Sequence, residues 1–287
     1  MKRLSVIILT YNSEKDIYEC LDSVYKYNDI GDDLEIIVVD NQSREYETMR
    51  LRLLKDYPQV RVVQNTHNGG YGQGNNVGIR LAEAPIVAVM NPDVRLLIPT
   101  FGEILRCFEN SQVVMCGGKQ MYPNNIQGWS FAYDFTTLGF AQVLLRHIMQ
   151  HYDVYDDKRM WLSGAFFAIR KENFKEIGMF DESIFMYGEE CDIHLRLRNS
   201  YPTMKIIYLL DIPYLHLSYR KQFSVEHYKL HLLSCVYVCQ KHHLSEKRFL
   251  HITKFANIIC YIRSILCKRE IEKIETLQAI NIINSIK

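Results

Sequence analysis

The stretch Pro85-Ile-Val-Ala-Val-Met-Asn-Pro-Asp93 decides the fold that the sequence predicts. Its apolar residues, Ile86–Met90, are followed at once by Asn-Pro-Asp. A short apolar run that ends in a turn signal is typical of a strand buried on both faces of a parallel sheet. Because Pro92 has no N–H to donate, the strand ends before it, and the Asp93 carboxylate lies at its carboxyl end. Ligands bind at that end of open α/β sheets, although a lone aspartate there is also a common turn or cap residue.

Strands and helices alternate throughout the N-terminal part of the chain. The predicted strands are Leu4–Leu9, Leu34–Val39, Val60–Val63 and Ile86–Met90. Between them, apolar residues recur at helical spacing from Glu14 to Tyr27, from Met49 to Leu54 and from Val77 to Glu83. This βαβαβαβ order predicts an α/β fold with a doubly wound, mostly parallel sheet flanked by helices.

Polar side chains follow each of these strands. They are Thr10 and Asn12, Asp40 and Ser43, Asn65 and Asn68, and Asn91 and Asp93. Because the carboxyl ends of parallel strands share one edge of a sheet, these residues predict a ligand crevice there, with ordinary turn chemistry as the alternative. The segment Gly70–Gly74 is predicted as a loop before a helix, where backbone N–H groups can meet phosphate. No glycine follows the first strand and no GxxxxGK[ST] motif occurs, which argues against a classical NAD site or a P-loop.

Composition narrows the class of protein. With 48% hydrophobic and 23% charged residues, the 287-residue chain has an ordinary globular composition. Its formal net charge of +1 argues against a nucleic-acid partner. Its eight cysteines form no CxxC pair, and strand-like sequence from Leu4 leaves no room for a signal peptide, so we expect reduced thiols and a cytoplasmic location. No apolar run approaches the roughly 18 residues of a membrane span.

The second half begins with a predicted strand at Val113–Gly118, followed by residues 119–158, which we expect to be irregular. This segment is rich in aromatic residues, which either stack on sugar rings or pack beneath a loop. Further strands are predicted at Trp161–Arg170 and Met204–Leu210, with a short helix at Lys171–Ile177 between them.

An acidic segment opens the next predicted helix, near Gly188 or Glu189. Its acids, Glu189, Glu190 and Asp192, suit the positive end of a helix dipole, and Asp192 lies four residues before Arg196 in an i,i+4 pair. Glu190 also lies at the rim of the buried face of the helix, where a general base would overlook a crevice. Both interpretations stay open on these residues alone.

His216 follows the last predicted strand. A lone histidine in that position is usually structural or solvated. As a metal ligand it would need a carboxylate partner, and Asp93 is the candidate.

Several short motifs occur in a fixed order along residues 4–220. They are Val6-Ile-Ile-Leu-Thr-Tyr-Asn12, Val38-Val-Asp-Asn-Gln-Ser43, Asn68-Gly-Gly-Tyr-Gly-Gln-Gly-Asn-Asn-Val-Gly-Ile79, Met90-Asn-Pro-Asp-Val94, Ser163-Gly-Ala165, Gly178-Met-Phe-Asp-Glu182, Phe185-Met-Tyr-Gly-Glu-Glu-Cys-Asp192 and His216. No single motif is specific, but the ordered set resembles glycosyltransferase family 2. Its members are inverting transferases of the GT-A fold, and the likeness is greatest to its rhamnosyltransferase-like bacterial members.

The resemblance implies roles for individual residues. It assigns Thr10, Asn12, Asp40, Ser43, Asn68 and Asn75 to the positions where the family holds the nucleotide base, ribose and neighbouring phosphate. Asn91 and Asp93 match the D-x-D motif of the nucleotide-sugar site, and Asp93 would bind a divalent cation, Mg²⁺ or Mn²⁺. His216 matches the late histidine that binds the metal or contacts phosphate. Glu190 takes the place of the catalytic base and Asp192 that of the second acid, with Glu189 as the neighbouring candidate.

Two positions depart from the family pattern. Asn91 replaces the first acid of D-x-D, and Glu190 replaces the usual aspartate base with a side chain one methylene longer. Proton abstraction stays feasible, but the choice between Glu189 and Glu190 stays open.

The resemblance also divides the chain. It implies a GT-A catalytic domain at residues 1–223, with a nucleotide-sugar half at 1–118 and an acceptor and catalytic half at 119–223. Residues 224–287 form a predicted helical C-terminal extension that is basic and carries apolar residues at helical spacing. Such helices either pack on the catalytic domain or attach peripherally to the anionic inner leaflet of a membrane.

The function that the resemblance implies is metal-dependent, inverting transfer of a sugar from a UDP- or dTDP-sugar. The acceptor would be a saccharide or lipid-linked saccharide in bacterial surface polysaccharide synthesis. A nucleotidyltransferase that makes sugar nucleotides is one alternative, but it would need a glycine-rich, basic segment after the first strand. A non-catalytic saccharide-binding protein on the same fold is another, and Asn91 and Glu190 leave it open.

Overall fold

The structure, a computed structural model, describes residues 1–217 and 223–286. Its strands are β1 (Leu4–Thr10), β2 (Leu34–Asp40), β3 (Arg61–Gln64), β4 (Ile86–Met90), β5 (Val94–Leu96), β6 (Val113–Tyr122), β7 (Ile126–Gln127), β8 (Phe131–Tyr133), β9 (Met160–Leu162), β10 (Phe166–Arg170) and β11 (Lys205–His216). Its helices are α1 (Glu14–Lys26), α2 (Tyr46–Asp56), α3 (Gly70–Leu81), α4 (Phe101–Cys107), α5 (Phe140–His151), α6 (Lys171–Glu176), α7 (Glu189–Ser200), α8 (Val225–Lys241), α9 (Glu246–Leu266) and α10 (Glu270–Ser285).

Four parallel strands form the N-terminal half of the main sheet, in the order β3–β2–β1–β4. Alternate residues of β1 face opposite sides of the sheet: Leu4, Val6 and Ile8 join the core beneath α1, and Ile7 joins the core beneath α3. Thr10 pairs with Asp40, so the carboxyl ends of β1 and β2 meet at one edge. The predicted α/β architecture, with helices on both faces of a parallel unit, is confirmed.

The sheet continues from β4 as β10–β6–β11–β5 and becomes mixed. Strand β10 is antiparallel to both β4 and β6, and β11 is parallel to β6 but antiparallel to β5. Strand β11 extends past the predicted end at Leu210, and a register shift between Leu209 and Pro213 accommodates the proline inside the strand. In the β11–β5 pairing, His216 lies opposite Val94, the residue that follows Asp93.

Two segments predicted as loops contain regular structure. Helix α3 begins at Gly70, seven residues before the predicted start at Val77, so the glycine-rich segment is its first turns. Its glycines serve close packing: a Cβ at Gly78 would lie 3.0 Å from Val39 Cγ2 and would overlap Ile7. Residues 119–158 include the end of β6, the strands β7 and β8, and α5, so the expectation of an irregular segment was wrong.

The predicted strand Trp161–Arg170 is two strands, β9 and β10, separated by Ser163, Gly164 and Ala165. Strand β9 pairs with β8 in a separate two-stranded sheet, whereas β10 lies in the main sheet. The break brings the backbone of these three residues to the edge where β4 ends, because Asn91 N donates to Ala165 O at 2.9 Å.

Helices α8, α9 and α10 share a small core of their own, built around Leu232, Cys235, Cys239, Phe249 and Ile283. They also pack on the preceding part of the chain: the rings of Phe249 and Phe135 lie 4.8 Å apart, and Ser234 Oγ donates to Met186 O at 2.8 Å. The C-terminal helices therefore exist as predicted and contact residues 119–223. The division of the chain at residue 223 stays a prediction.

By length and composition, α9 meets the criteria for a helix that crosses a membrane. It has 21 residues with a mean hydropathy of 1.2, and 17% of its apolar window is buried. The charges at Lys254 and Arg263 interrupt the apolar run, which is why the sequence predicts no span. A single helix of this kind is weak evidence for a span, since core helices of soluble proteins meet the same criteria.

Candidate active site

The first group of predicted residues lies where β1 and β2 end. Thr10 and Asp40 are fully buried, and Thr10 Oγ1 donates to Asp40 Oδ2 at 3.2 Å. Asp40 Oδ1 accepts from Ser43 N at 2.9 Å, and Ser43 Oγ accepts from Asn12 N at 2.8 Å. Asn12 is exposed. The structure thus brings the four residues together, with Asp40 holding the two loops in place and Asn12 open to solvent.

Asn68 and Asn75 lie at the start and in the middle of α3. Asn68 is half-buried, and its Oδ1 accepts from Gly70 N at 3.1 Å. Asn75 is fully buried: its Nδ2 donates to Tyr71 O at 3.0 Å, and its Oδ1 has no partner within residues 1–217 and 223–286. Asn75 is thus as buried as Thr10 and Asp40, and its assignment to the nucleotide site stays a prediction.

Asp93 and His216 lie side by side at the carboxyl ends of β4 and β11. Asp93 Oδ1 is 3.3 Å from His216 Nε2, and the two side chains are 16% and 17% exposed. The backbone fixes this contact, since Leu217 N donates to Asp93 O at 2.9 Å. His216 Nδ1 is buried and has no hydrogen-bond partner within the described ranges. The structure therefore brings together the two residues that the sequence proposes as a metal-binding pair.

The donor set of Asp93 and His216 fits a divalent cation. Two neighbouring ligands of an octahedral cation with bonds of ~2.1 Å lie ~3 Å apart. The 3.3 Å between Asp93 Oδ1 and His216 Nε2 is close to that separation. Within residues 1–217 and 223–286, no group of three or more His, Cys, Asp or Glu side chains could hold a metal ion. The pair thus resembles a site in which substrate oxygens and water complete the coordination, as is usual for Mg²⁺.

Glu190 lies in the first turn of α7 with its side chain against Gly164. A Cβ at Gly164 would lie 2.9 Å from Glu190 Cγ and 3.0 Å from Cδ, so only glycine leaves room for the carboxylate. Burial raises the pKa of Glu190, and hydrogen bonds from the backbone N–H groups of Glu190 and Gly164 limit the rise. A carboxylate with a raised pKa, held by backbone donors, has the properties of a general base.

Tyr71 connects Glu190 with the Asp93–His216 pair. Its hydroxyl donates to Gly164 O at 2.7 Å. Burial raises the pKa of Tyr71 well above its usual range, and the negative charges of Glu190 and Asp93 add to the rise. The backbone brings the two carboxylates to the same edge of the sheet: Asn91, two residues before Asp93, donates from N to Ala165 O at 2.9 Å, and the Glu190 side chain lies against the neighbouring Gly164.

Glu189 points into the protein. It is 3% exposed, and its Oε1 has no partner in the part of the chain that the structure describes. Burial raises its pKa well above the usual range, and the charge of Glu190 raises it further. Of the two adjacent acids, Glu190 is the one that lines the cavity described below.

Asp192 lies in the contact between α7 and α8. Its Oδ2 meets Arg196 at 2.6 Å, which confirms the i,i+4 pair, and its Oδ1 meets Lys241 Nζ and His242 Nε2, each at 2.8 Å. Burial raises the pKa of Asp192, but hydrogen bonds from His242 and Arg196 outweigh burial and hold the pKa well below its usual range. With a side chain 1% exposed, Asp192 joins two helices instead of facing a crevice.

A cavity of about 500 Å³ opens on the other side of Glu190. Glu190 forms part of its wall, together with aromatic residues that include Trp129, Phe131, Tyr133 and Trp161. Phe131 also packs on Tyr155, with ring centroids 5.5 Å apart. The aromatic segment within residues 119–158 therefore both fills the core and lines an accessible cavity beside the candidate base.

The model of the family "Glycosyl transferase family 2" matches residues 5–178. The chain belongs to this family. The match spans both Asp93 and the Ser163–Ala165 break, and it ends before Glu190.

Two curated relatives illustrate the range of the family. The low-salt glycan biosynthesis hexosyltransferase Agl10 of Haloferax volcanii is 27% identical over 205 residues, which cover 68% of this chain and 61% of that protein. The chain thus spans about three fifths of the length of Agl10. Rhamnosyltransferase WbbL of Escherichia coli K12 is 23% identical over 269 residues, covering 86% of this chain and 97% of that protein.

Solved structures of glycosyltransferases share the fold. The mannosyltransferase PcManGT of Pyrobaculum calidifontis, in complex with GDP-Man and Mn²⁺, aligns with a TM-score of 0.63 at 17% identity and covers 99% of this chain and 86% of that one. The family 2 chain therefore has the GT-A fold, as the motif order predicts.

The sequence pattern does not single out Asn41 and Tyr71, which bond to the backbone around the family 2 site. Asn41 is buried, accepts from Asn65 Nδ2 at 2.8 Å and donates to Gly70 O at 2.9 Å, which ties β2 to the start of α3. Tyr71 appeared in the sequence only as part of a glycine-rich motif. Its hydroxyl contact with Gly164 lies 93 positions away along the chain and leaves no local signal.

Proposed function

We propose that the protein is an inverting glycosyltransferase that uses a nucleoside-diphosphate sugar, a UDP- or dTDP-sugar, as donor. The acceptor is a saccharide or lipid-linked saccharide of a surface polysaccharide, and the protein works in the cytoplasm. One observation carries the proposal: the 3.3 Å pair of Asp93 and His216 lies just after the point where Asn91 N bonds to Ala165 O, and the Glu190 carboxylate lies against the adjacent Gly164.

The donor side is supported by the loops after β1 and β2. Their bonds through Asp40 and Ser43 fix the loop conformation before any ligand arrives, and Asn12 is exposed at their edge. A nucleotide base and ribose bind well to such preformed polar edges at the ends of parallel strands. In this proposal Asn12, Ser43 and Asn68 contact the nucleoside, while Asp40 keeps the loops in place.

A divalent cation, Mg²⁺ or Mn²⁺, is proposed at Asp93 and His216. When bound, it neutralises the charge that develops on the departing nucleoside diphosphate. Support comes from the 3.3 Å spacing of the two donor atoms, Asp93 Oδ1 and His216 Nε2. Asn91 has an amide where the family has the first acid, and its backbone is bonded through both groups: its N donates to Ala165 O at 2.9 Å, and its O accepts from Val94 N at 3.1 Å.

The acceptor side is proposed to be the aromatic cavity whose wall includes Glu190. Aromatic faces stack on the apolar faces of sugar rings, and Glu190 accepts a proton from the acceptor hydroxyl. That oxygen forms the new bond to the anomeric carbon as the bond to the diphosphate breaks on the opposite face. A single displacement without an enzyme nucleophile inverts the configuration at that carbon.

The experiment is a thermal-shift screen of the full chain with UDP, dTDP and GDP, each with and without Mn²⁺. We expect one diphosphate to raise the melting temperature, and to do so only with the metal. Glu190→Gln should keep that shift and lose release of the diphosphate from the matching sugar donor in the presence of saccharide acceptors. Glu172→Gln on α6, which is exposed, is the matched control.

Two results would contradict the proposal. Full turnover by Glu190→Gln would remove Glu190 as the base. Saccharide binding without any diphosphate binding would favour the non-catalytic alternative, and formation of a sugar nucleotide from a sugar phosphate would favour the nucleotidyltransferase.

A further inference from the structure

Helices α5, α9 and α10 expose an unusual number of large apolar side chains. Those exposed by 37–77% are Phe140, Leu144, Leu145 and Ile148 on α5, Ile258, Ile262, Ile265 and Leu266 on α9, and Ile271, Ile274 and Leu277 on α10. We refer to these residues as the outer apolar patch. Single exposed apolar residues are normal, but soluble monomers rarely expose contiguous apolar patches above a few hundred Å². Exposed apolar surfaces of this size usually bind a protein, a ligand or a membrane.

The members of the patch are neighbours in space. Helices α5 and α9 pack against each other, and the rings of Phe140 and Phe255 lie 4.8 Å apart, centroid to centroid. Helices α9 and α10 pack against each other across the short turn at residues 267–269, which puts the exposed ends of both helices together. The residues of the patch therefore lie on three helices that are neighbours in space.

Helix α9 is apolar on two sides. One side, with Phe249, Ile252 and Ala256, lines the cavity next to Glu190. The other side, with Ile262 and Ile265, belongs to the outer patch, and only 17% of the apolar window of the helix is buried. A helix that is apolar all round is normally covered by a protein core or by lipid. Within residues 1–217 and 223–286, nothing covers the outer side of α9.

Cations outnumber acids around the patch. Residues 246–277 contain seven cations, Lys247, Arg248, Lys254, Arg263, Lys268, Arg269 and Lys273, and four acids, Glu246, Glu270, Glu272 and Glu275, which is a net charge of +3, although the whole chain has a net charge of only +1. Arg263, Lys268 and Arg269 lie among the most exposed apolar residues, Leu266 at 77% and Ile271 at 75%. Apolar side chains interleaved with cations match a bilayer surface that carries anionic headgroups.

We propose that the outer apolar patch docks the protein on an anionic phospholipid bilayer, with the apolar side chains entering the headgroup boundary and the cations meeting lipid phosphates. A second copy of the chain fits less well. A symmetric contact through the patch would bring together two copies of a segment, residues 246–277, that carries a net charge of +3 in each copy, and this repulsion opposes association. Anionic lipid supplies the opposite charge.

Docking in this orientation has a consequence that rests on the proposed function. Helix α9 separates the patch from the cavity that contains Glu190, and a helix with its side chains is ~10 Å thick. A bilayer under the patch would therefore lie one helix away from the acceptor cavity. Arg146 and Trp129 line the cavity on the α5 side, with the guanidinium carbon 5.6 Å from the ring centroid. The membrane-facing entrance would thus carry a cation and an aromatic ring for a lipid-linked acceptor.

Vesicle flotation with the full chain tests the docking. Vesicles of phosphatidylglycerol and phosphatidylcholine are compared with vesicles of phosphatidylcholine alone, at low and high salt. We expect binding to the anionic vesicles only, weakened by salt. The double variant Leu266→Glu/Ile271→Glu should reduce the bound fraction by at least about tenfold, because it removes apolar insertion and adds repulsion. The double variant Lys268→Glu/Arg269→Glu should also reduce the fraction of protein bound to anionic vesicles.

The matched control is Leu51→Glu on α2, which is 63% exposed and lies outside the patch. It should bind vesicles like the unmodified chain, and all variants should keep the melting temperature and the thermal shift with diphosphate. That shift separates failure of the docking from failure of the proposed function. Equal vesicle binding by the Leu266/Ile271 variant, or no binding by the unmodified chain, would overturn the proposal. So would a dimer in light scattering that the same variant dissociates, which would assign the patch to a second copy.

Discussion

Replacing Gly164 by alanine tests whether the activity depends on the present position of the Glu190 carboxylate. The added Cβ would lie 2.9 Å from Glu190 Cγ and 3.0 Å from Cδ, whereas carbon atoms in contact are ordinarily ~3.5–4.0 Å apart. The Glu190 side chain must therefore retreat by roughly 0.5–1 Å. Because Gly164 is not among the residues with positive φ, alanine is compatible with the backbone, and the change is confined to the carboxylate.

A misplacement of ~1 Å in a reacting group can cost about a hundredfold in rate, equivalent to about 2.7 kcal/mol of barrier. We expect Gly164→Ala to lower kcat by that order with little change in the KM for the donor, because the Asp93–His216 pair is untouched. The assay is release of nucleoside diphosphate from the donor in the presence of acceptor, together with the thermal shift by diphosphate and Mn²⁺.

Gly139→Ala is the matched control, since a Cβ there meets mainly the end of the flexible Gln142 side chain, at 2.8 Å from Oε1. It should turn over like the unmodified enzyme. The reasoning is refuted if Gly164→Ala retains full kcat, because the Glu190 carboxylate would then not need its present position. If the same variant also lost diphosphate binding, the claim that the donor side of the site is separate from the acceptor side would be refuted.

Three further predictions follow from the buried acids and the cation pair. Asp93→Asn and His216→Ala should each abolish the Mn²⁺-dependent part of the diphosphate shift; an unchanged shift in both would remove the cation from this pair. Glu189→Gln should raise the melting temperature at pH 8, and this gain should shrink towards pH 5. Because the pKa of Glu189 is higher in the folded chain than in the unfolded chain, the folded chain holds a proton that the unfolded chain releases. The stability of the unmodified chain therefore falls as pH rises from the unfolded-state pKa to the folded-state pKa. A gain independent of pH would contradict this. Asp192→Asn should lower the free energy of unfolding in urea by about 3 kcal/mol, because Arg196 and His242 lose the charge of their buried partner while Lys241 keeps its bond to Asp181; stability within about 1 kcal/mol of the unmodified chain would contradict a structural role.

The sequence determined the parts of the site that depend on local signals. Pro92 ends β4, so Asp93 lies at the carboxyl end of a strand that its apolar composition marks as buried. The polar ends of β1 and β2 meet because parallel pairing aligns them, and the register of Thr10 with Asp40 bears this out. Helix α3 was placed too late, because glycines that permit close packing on the sheet have the composition of a loop.

Only the tertiary structure decided the surroundings of each acid in the Glu189–Asp192 segment. Positions one and two residues apart on a helix differ in direction by about 100° and 200°, so the three acids face different surroundings: Glu189 the protein interior, Glu190 the cavity and Asp192 helix α8. Sequence spacing gives those angles but not what lies on each side. The same holds for His216, which reaches Asp93 through the pairing of β11 with β5. The sequence thus specifies which strands are followed by polar side chains, and the long-range packing of the sheet and helices selects which of those side chains share a site.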